Sequence, residues 1–246
     1  MTSSELWGHA TAERYDAEEA GISSAAALGP ALAFLADLAG DGRALEFAIG
    51  TGRVGVPLRE LGIPVSGIEL SAHMAAVLRR KVDEGRLPVT LGDMATTVVP
   101  GEFSLVYLVY NTITNLLTQD EQVECFRNAA RHLRPGGRFV IELGVPPLRF
   151  LPPEQVAVPF DVSERHVGFD TFDLVGQVLV SHHLTQDGDD GRYRRTASRH
   201  RYAWPAELDL MARIAGLTLE RRVADWDGTP FTQDSRKHVS VWRKAG

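Results

Sequence analysis

The sequence predicts an α/β fold in which a doubly wound, mostly parallel sheet carries an inserted antiparallel sheet. Three observations predict it. Apolar strands alternate with helical stretches between residues 24 and 143, a glycine-rich turn follows the first strand, and the apolar period changes to two after Val156. Alternating strands and helices are typical of a parallel sheet with helices on both faces. With 246 residues, 44% of them hydrophobic, the chain can bury one substantial core and a smaller lobe.

The first half of the chain supplies the parallel part of the sheet. Leucines at helical spacing predict a helix over 24–40, and Ser71 and the Thr118/Glu121 pair are typical helix caps. Further helices are predicted over 54–61, from Ser71 to about Glu84, and from Thr118 to His132. Strands are predicted over 44–49, 64–69, 89–91, 103–109 and 138–143.

The second half departs from this pattern at Val145. Prolines punctuate the next residues, and the period-two segment from 156 to 204 predicts three or four antiparallel strands with a hairpin tip at 187–191. A helix over 205–215 and two strands near 217–225 and 235–243 then return to the main sheet as an antiparallel edge hairpin. We therefore expect seven strands in that sheet, an N-terminal arm over 1–24, a main domain over 25–145 and 205–246, and an inserted lobe over 146–204.

Composition limits the classes of function. A net charge of -6 gives no attraction to nucleic acid or to anionic membranes, so neither is expected as a partner. Cys125 is the only cysteine, and we expect no metal site. The start of the chain lacks a signal-like apolar region, and no stretch approaches a membrane span. We expect a cytoplasmic protein.

The turn after the first strand predicts a nucleotide site. Gly50, Gly52 and Gly55 allow the backbone to turn tightly and approach a ligand, and Glu69 ends the second strand, where a carboxylate can accept hydrogen bonds from ribose hydroxyls. Because the carboxyl ends of parallel strands form the ligand-binding edge, both features lie where a ligand would bind. The same pattern is also the fingerprint of NAD enzymes, so these residues alone leave the cofactor open.

Four further strings make the chain resemble the class I S-adenosylmethionine (SAM)-dependent methyltransferases. They are Glu46-Phe-Ala-Ile-Gly-Thr-Gly-Arg53, Glu69-Leu-Ser-Ala-His-Met74, Gly92-Asp-Met94 and Arg134-Pro-Gly-Gly137. A carboxylate such as Glu46 would repel a pyrophosphate but attract the ammonium of SAM. The resemblance implies the Rossmann-like fold of this family and covers roughly residues 40–143. The chain departs from the family at Ala48-Ile49, where many members have Gly-Cys.

The resemblance also implies which residues hold SAM. Glu46 faces its amino-acid part, Met74 packs on adenine or fills the core, and Asp93 reaches the adenine amino group. The full predicted cofactor set is Tyr15, Glu46, Ala48, Gly50, Thr51, Gly52, Arg53, Glu69, Leu70, Met74, Asp93, Met94 and Tyr110. S-Adenosylhomocysteine (SAH) is then the product.

Methyl transfer from a sulfonium requires few catalytic groups, because the leaving group departs neutral and the enzyme mainly aligns the reactants. Residues 110–119, after the fourth strand, resemble a loop of antibiotic amino-sugar and peptide N-methyltransferases, some of which have a histidine where Asn115 falls. Tyr15 resembles an aromatic residue that closes over the cofactor in those enzymes, where its ring would attract the sulfonium. We therefore expect Tyr15, Asn111 and Asn115 to be the catalytic residues.

The inserted lobe is predicted either to roof the site or to form a homodimer contact. His182 and His183 point to opposite faces of a strand, so they cannot share a metal, and one of them can face the substrate. Four residues near the end of the lobe have two interpretations: they line a pocket for an aromatic or acidic substrate, or they form a sheet face that packs on another lobe or subunit. They are Arg199, Arg201, Tyr202 and Trp204.

The leading interpretation is transfer of a methyl group to an oxygen or nitrogen of a small molecule, with a specialised metabolite suggested by the resemblance. Two alternatives stay open. One is an NAD(P)-dependent oxidoreductase, against which Glu46 and the Gly92-Asp-Met94 string argue. The other is a SAM-binding protein without methyl transfer.

Overall fold

The computed structural model describes residues 7–18, 24–152, 154–186, 188 and 191–246. Much of the predicted arm (1–6 and 19–23) and of the hairpin tip (187, 189 and 190) lies outside these residues. The strands are β1 (Ala44–Phe47), β2 (Val65–Glu69), β3 (Val89–Leu91), β4 (Phe103–Leu108), β5 (Leu133–Gly144), β6 (Ala157–Val162), β7 (His166–Asp173), β8 (Val178–Gln186), β9 (Tyr193–Arg201), β10 (Leu217–Val223) and β11 (Lys237–Lys244). The helices are α1 (His9–Glu18), α2 (Ala25–Ala39), α3 (Gly55–Glu60), α4 (Ala72–Arg79), α5 (Gln119–His132) and α6 (Pro205–Ile214), with 3₁₀ turns over Thr112–Asn115 and Pro147–Phe150.

The main sheet has the strand order β10-β11-β5-β4-β1-β2-β3. Strands β1 to β5 pair in parallel, whereas β11 is antiparallel to both β5 and β10. The predicted seven-stranded, mostly parallel sheet with an antiparallel edge hairpin is confirmed. The sheet grows in opposite directions from β1, with β2 and β3 on one side and β4 and β5 on the other. Such a reversal of strand order opens a crevice at the carboxyl edge of a doubly wound sheet.

Helices cover both faces of this sheet, so β4 is buried on both sides. Its alternate residues Val106 and Leu108 pack with α5 and α6, whereas Leu105 and Tyr107 pack on the side of α2, α3 and α4. The predicted caps are present: Ser71 Oγ accepts from the Met74 amide, and Thr118 and Glu121 form a reciprocal capping box.

Two predicted boundaries are wrong. Helix α4 ends at Arg79 rather than near Glu84, because the Arg79 guanidinium donates to the carbonyls of Val82 (3.0 Å) and Leu87 (2.9 Å) and holds the chain in a tight turn there. Strand β5 begins at Leu133 and not at residue 138.

The early start of β5 places the Pro-Gly-Gly turn inside the strand as a bulge. Phe103 pairs with Leu133 and Leu105 already pairs with Arg138, so the residues between them loop out of the ladder. Gly136 has φ +75°, a conformation that favours glycine.

The inserted segment forms a second sheet of order β6-β7-β8-β9, antiparallel throughout. Its last strand ends at Arg201 because Trp204 is already the N-cap of α6. The guanidinium of Arg201 is buried and contacts Gln122 Oε1 (2.5 Å) and Glu207 Oε1 (2.6 Å). Arg201 therefore ties the second sheet to the main domain.

Candidate active site

A cavity of about 630 Å³ lies at the carboxyl edge of the main sheet, where the strand order reverses, and continues beneath the second sheet. Most of the predicted site residues line it: Tyr15, Glu46, Ala48, Gly50, Thr51, Arg53, Glu69, Leu70, Met74, Asp93, Met94, Tyr110, Asn111 and Asn115. Gly52 is buried and does not line the cavity.

The glycine turn and Glu69 are joined directly. The Glu69 carboxylate accepts hydrogen bonds from the backbone amides of Gly50 and Ser71, each at 2.7 Å. Burial raises the pKa of Glu69, and the two amides partly offset this effect. Each carboxylate oxygen retains a lone pair, so the group can also accept from a diol in the cavity.

Glu46 lies on β1 and is almost fully buried. The hydroxyl of Tyr107 on β4 donates to Glu46 Oε2 at 2.9 Å. Burial raises the pKa of Glu46 to about 8, with the Tyr107 hydrogen bond acting in the opposite direction. Tyr107 was not predicted as a site residue, because it lies in an apolar strand whose pattern is typical of the core.

The residues that were predicted to lie beside adenine border the cavity on α4 and after β3. Asp93 Oδ1 accepts from the Ala95 amide at 2.7 Å, which fixes the orientation of the carboxylate. Met74 is buried against Ala12 of α1 and Val77. Its methyl group would be 3.4 Å from a Cβ placed at Gly50, so it adjoins the glycine turn as well as the core.

Helix α1 closes the cavity from outside. Asp16 accepts from Thr51 Oγ1 at 2.7 Å and pairs with Lys81 Nζ at 2.5 Å, so α1 is tied to the glycine turn. The ring of Tyr15 meets that of Trp7 edge to face, with centroids 5.8 Å apart, and both side chains line the cavity. Trp7 was not predicted.

The loop after β4 carries two residues in the left-handed region, Tyr110 (φ +56°) and Asn111 (φ +60°). Such conformations in non-glycine residues concentrate at functional sites. Asn111 Oδ1 accepts from the Gly144 amide at 2.7 Å, so its amide nitrogen is the group left to meet a ligand. The guanidinium of Arg53 lies 4.8 Å from the centroid of the Tyr110 ring.

The second sheet supplies the roof of the cavity with residues that the sequence did not single out as ligand contacts, among them Asp170, Ser181 and His200. Of the adjacent histidines, His183 lines the cavity, whereas His182 stacks on Phe169 with centroids 4.7 Å apart. The predicted opposite orientation of the pair is confirmed.

Of the four candidates at the end of the inserted lobe, Tyr202 lines the cavity, but Arg199, Arg201 and Trp204 do not. Arg201 follows the packing alternative instead, because its charge is satisfied in the buried pair with Glu207 of the main domain.

Within the described ranges, no group of three or more His, Cys, Asp or Glu side chains is placed to hold a metal ion. The part of the chain seen in the structure also has no helix long and apolar enough to span a membrane.

Comparison with known proteins identifies the family. A family model described as a methyltransferase domain matches residues 44–137. The cypemycin N-terminal methyltransferase of a Streptomyces species is 29% identical over 208 residues, which are 82% of this chain and 83% of that protein.

Among solved structures, the CcbJ methyltransferase from Streptomyces caelestis is 38% identical, with a TM-score of 0.79 over 88% of this chain and 89% of that chain. A SAM-bound amino pentose methyltransferase from Micromonospora echinaspora is 22% identical and shares the fold, with a TM-score of 0.69 over 88% and 89% of the two chains. The NAD(P)-dependent oxidoreductase alternative is wrong, because these matches are to methyltransferases and because carboxylates are buried beside the glycine turn. The chain belongs to the class I SAM-dependent methyltransferases, and SAM is its cofactor.

Proposed function

We propose that this methyltransferase transfers the methyl group of SAM to an amine nitrogen of a small molecule. The observation that carries the proposal is a cavity lined both by the predicted cofactor residues and by a polar roof of Asp170, Ser181 and His183. Its volume of about 630 Å³ is in the range of small-ligand sites. Two relatives are named as an N-terminal methyltransferase and an amino pentose methyltransferase, which supports an amine acceptor in a specialised metabolite.

The residues fit SAM in chemical type. We propose that Glu69 accepts from the ribose hydroxyls, Asp93 from the adenine amino group, and Glu46 from the ammonium group. Leu70, Met74 and the Met94 backbone border the adenine side, and Arg53 with the turn residues Ala48, Gly50, Thr51 and Gly52 borders the amino-acid side. The rings of Tyr15 and Tyr110 would adjoin the sulfonium end, where an aromatic face favours a positive charge.

Bound SAM supplies an activated methyl group whose leaving sulfur departs uncharged. The task of the protein is then to hold the acceptor in line with that methyl group and to exclude water. We propose that the amide groups of Asn111 and Asn115 orient the acceptor and that α1, through Tyr15, shields the site. An asparagine cannot act as a base, so any proton must be taken elsewhere.

The pKa of Glu46 predicts that cofactor affinity depends on pH. Because that pKa is about 8, Glu46 is mostly protonated at pH 7 in the free protein and must lose its proton to pair with the ligand ammonium. We expect the SAH dissociation constant to fall by up to about tenfold for each pH unit from 6 towards 8, and one proton to be released on binding.

Calorimetric titration in two buffers of different ionisation enthalpy measures that proton. The variant Glu46→Gln should bind more weakly and lose this pH dependence, because the amide does not titrate in this range. Binding by the wild-type protein with no proton release between pH 6 and 8 would contradict the assignment.

The acceptor class is tested with SAM labelled in its methyl group. Glucosamine and alanyl-alanine, which have free amines, should become labelled, whereas N-acetylglucosamine should not, because its nitrogen is blocked while its hydroxyls are unchanged. Equal labelling of glucosamine and N-acetylglucosamine would indicate that a hydroxyl group, and not the amine, accepts the methyl group. SAH binding without labelling of either free amine would contradict the proposed small-amine acceptor.

We further propose the division of the chain into a lid (1–24), a cofactor domain (25–145 and 205–246) and a substrate roof (146–204). The proposed setting is the cytoplasm, with neither nucleic acid nor membrane as a partner. A homodimer through the outer face of the roof is supported by exposed apolar residues such as Val162 and is tested by sedimentation velocity.

A further inference from the structure

The roof carries a series of polar side chains that begins inside the cavity and ends at the surface. Asp170 faces Ser181 directly across β7 and β8, and Gly168 faces His183, so these side chains share the cavity face of the sheet. Asp170 Oδ1 is buried and has no hydrogen-bond partner. An unsatisfied carboxylate oxygen in a ligand cavity is costly unless a ligand donates to it.

The series continues from the Asp170 carboxyl group, which accepts a hydrogen bond from Ser181. Ser181 Oγ lies 3.4 Å from Nε2 of His183. The opposite ring nitrogen, Nδ1, lies 3.0 Å from Nε2 of His166. His166 Nδ1 in turn lies 2.5 Å from Oδ2 of Asp161, whose side chain is 46% exposed.

Gly168 provides the space that this series of side chains requires. A Cβ at Gly168 would lie 2.2 Å from Cε2 of Phe160 and 3.0 Å from Cε1 of His166, so glycine leaves the space in which these rings lie. The rings of His166 and His183 are inclined by only 27°, with centroids 5.1 Å apart, so they meet edge to edge through Nε2 of His166 and Nδ1 of His183. Each histidine is therefore contacted through both of its ring nitrogens.

We propose that Asp170 binds the acceptor as its ammonium ion and removes one proton, and that Ser181, His183 and His166 conduct that proton to Asp161 at the surface. This inference rests on the proposed amine methylation and adds to it a base and a proton exit.

The steps balance. The N–H bond of the ammonium breaks and its proton passes to Asp170, which leaves a lone pair on nitrogen. The nitrogen then forms the bond to the methyl carbon while the carbon–sulfur bond breaks, and the sulfur keeps that electron pair and becomes neutral. The product leaves as a methylated ammonium ion. Asp170 then passes the first proton to Ser181 Oγ, while the Ser181 hydroxyl turns away from Asp170 and gives its own proton to His183 Nε2. The Nδ1 proton of His183 moves to Nε2 of His166, and the Nδ1 proton of His166 passes to Asp161.

The pKa values of His183 and Asp170 are shifted in the directions that proton transfer from the acceptor requires. Burial, together with the neighbouring His166, lowers the pKa of His183, so its ring is neutral and can accept a proton near pH 7. Burial raises the pKa of Asp170, which makes it a stronger base than an exposed carboxylate. The other titratable groups that act on His183 or are acted on by it are His182, beside it on β8, and His200 on β9.

The kinetic test compares Asp170→Asn and His166→Gln with Arg199→Gln, a control at an exposed position on the opposite face of the same sheet, using labelled SAM and glucosamine. We expect Asp170→Asn to lower kcat roughly a hundredfold at pH 7 and His166→Gln to lower it by a smaller factor. Both deficits should shrink above the pKa of the acceptor ammonium, because the amine then enters without its extra proton. Arg199→Gln should keep the wild-type profile. A deficit in Asp170→Asn that is equal at all pH values would overturn the role as a base.

A second measurement does not depend on turnover. In nitrogen-15 spectra of the SAH complex, His183 and His166 should both carry their proton on Nδ1, the tautomer that lets each ring receive a proton at Nε2 and release one at Nδ1. The titration of His183 should move in Asp170→Asn and in His166→Gln. Nε2–H tautomers in either ring, or an unmoved titration, would overturn the relay even if amines are methylated. Failure to methylate amines with these tautomers present would instead count against the acceptor class.

Discussion

Gly52→Ala should destabilise the protein by about 2–5 kcal/mol. Gly52 has φ +82°, in a region that L-residues adopt at a cost, and an added Cβ would lie 2.3 Å from Leu78 Cδ1 and 2.8 Å from Val56 Cγ2. Both neighbours are helix side chains that hold the glycine turn against α4 and α3, so neither can withdraw without opening the turn. The measurement is urea unfolding of the wild-type and variant proteins.

Gly62→Ala is the matched control. Gly62 has φ +95°, but no atom lies within 4 Å of an added Cβ. Its expected loss is only the conformational cost, about 1–2 kcal/mol. If both variants lost the same free energy of unfolding, the contact with Leu78 would not contribute.

Glu69→Ala should weaken SAH binding by about 1–3 kcal/mol, which is roughly 5–150-fold in the dissociation constant. The proposed ribose hydroxyls would then be buried without an acceptor. The same substitution leaves the amides of Gly50 and Ser71 unpaired, so the free protein should also unfold more easily. Calorimetric titration at a temperature where the variant is folded separates the two effects.

Two further variants make this result specific. Glu69→Gln retains one acceptor oxygen and should have an intermediate affinity, whereas Glu60→Ala removes an exposed carboxylate at the end of α3 and should bind as the wild type does. An unchanged dissociation constant in Glu69→Ala would remove Glu69 from the cofactor site.

At Ala48-Ile49, where the chain departs from the family pattern, the structure explains what the sequence could predict only in part. The sequence indicated only that a small Ala48 permits close approach. The structure adds that Ala48 has φ +52°, a conformation better suited to glycine. The side chain of Ile49 fits because Gly55 and Gly67, which lie against it, have no Cβ. Added Cβ atoms at these glycines would lie 2.8 and 2.7 Å from the Ile49 side chain, too close for contact. Two glycines distant in sequence thus provide the space for the larger residue.

The sequence by itself determined the order of the strands and helices and which side chains of the main sheet's carboxyl edge meet at the cavity. Those features depend on local rules: hydrophobic periodicity, caps such as Thr118, and the convergence of parallel strand ends, which brings Glu46, Glu69 and Asp93 together once the sheet forms. The boundaries that failed, at Arg79 and Leu133, depended on side-chain contacts and a bulge that no local pattern reveals.

Only the tertiary structure decided which residues of the inserted lobe line the cavity. In an antiparallel lobe, the residues that face the cavity depend on strand register and on how the lobe docks on the main domain. That docking buries Arg201 in an ion pair, turns His183 inward and His182 outward, and leaves Asp170 Oδ1 without a partner. The buried pair of Tyr107 and Glu46 likewise joins strands far apart in sequence. Such contacts arise from packing between distant segments, so they had to be seen in the folded chain.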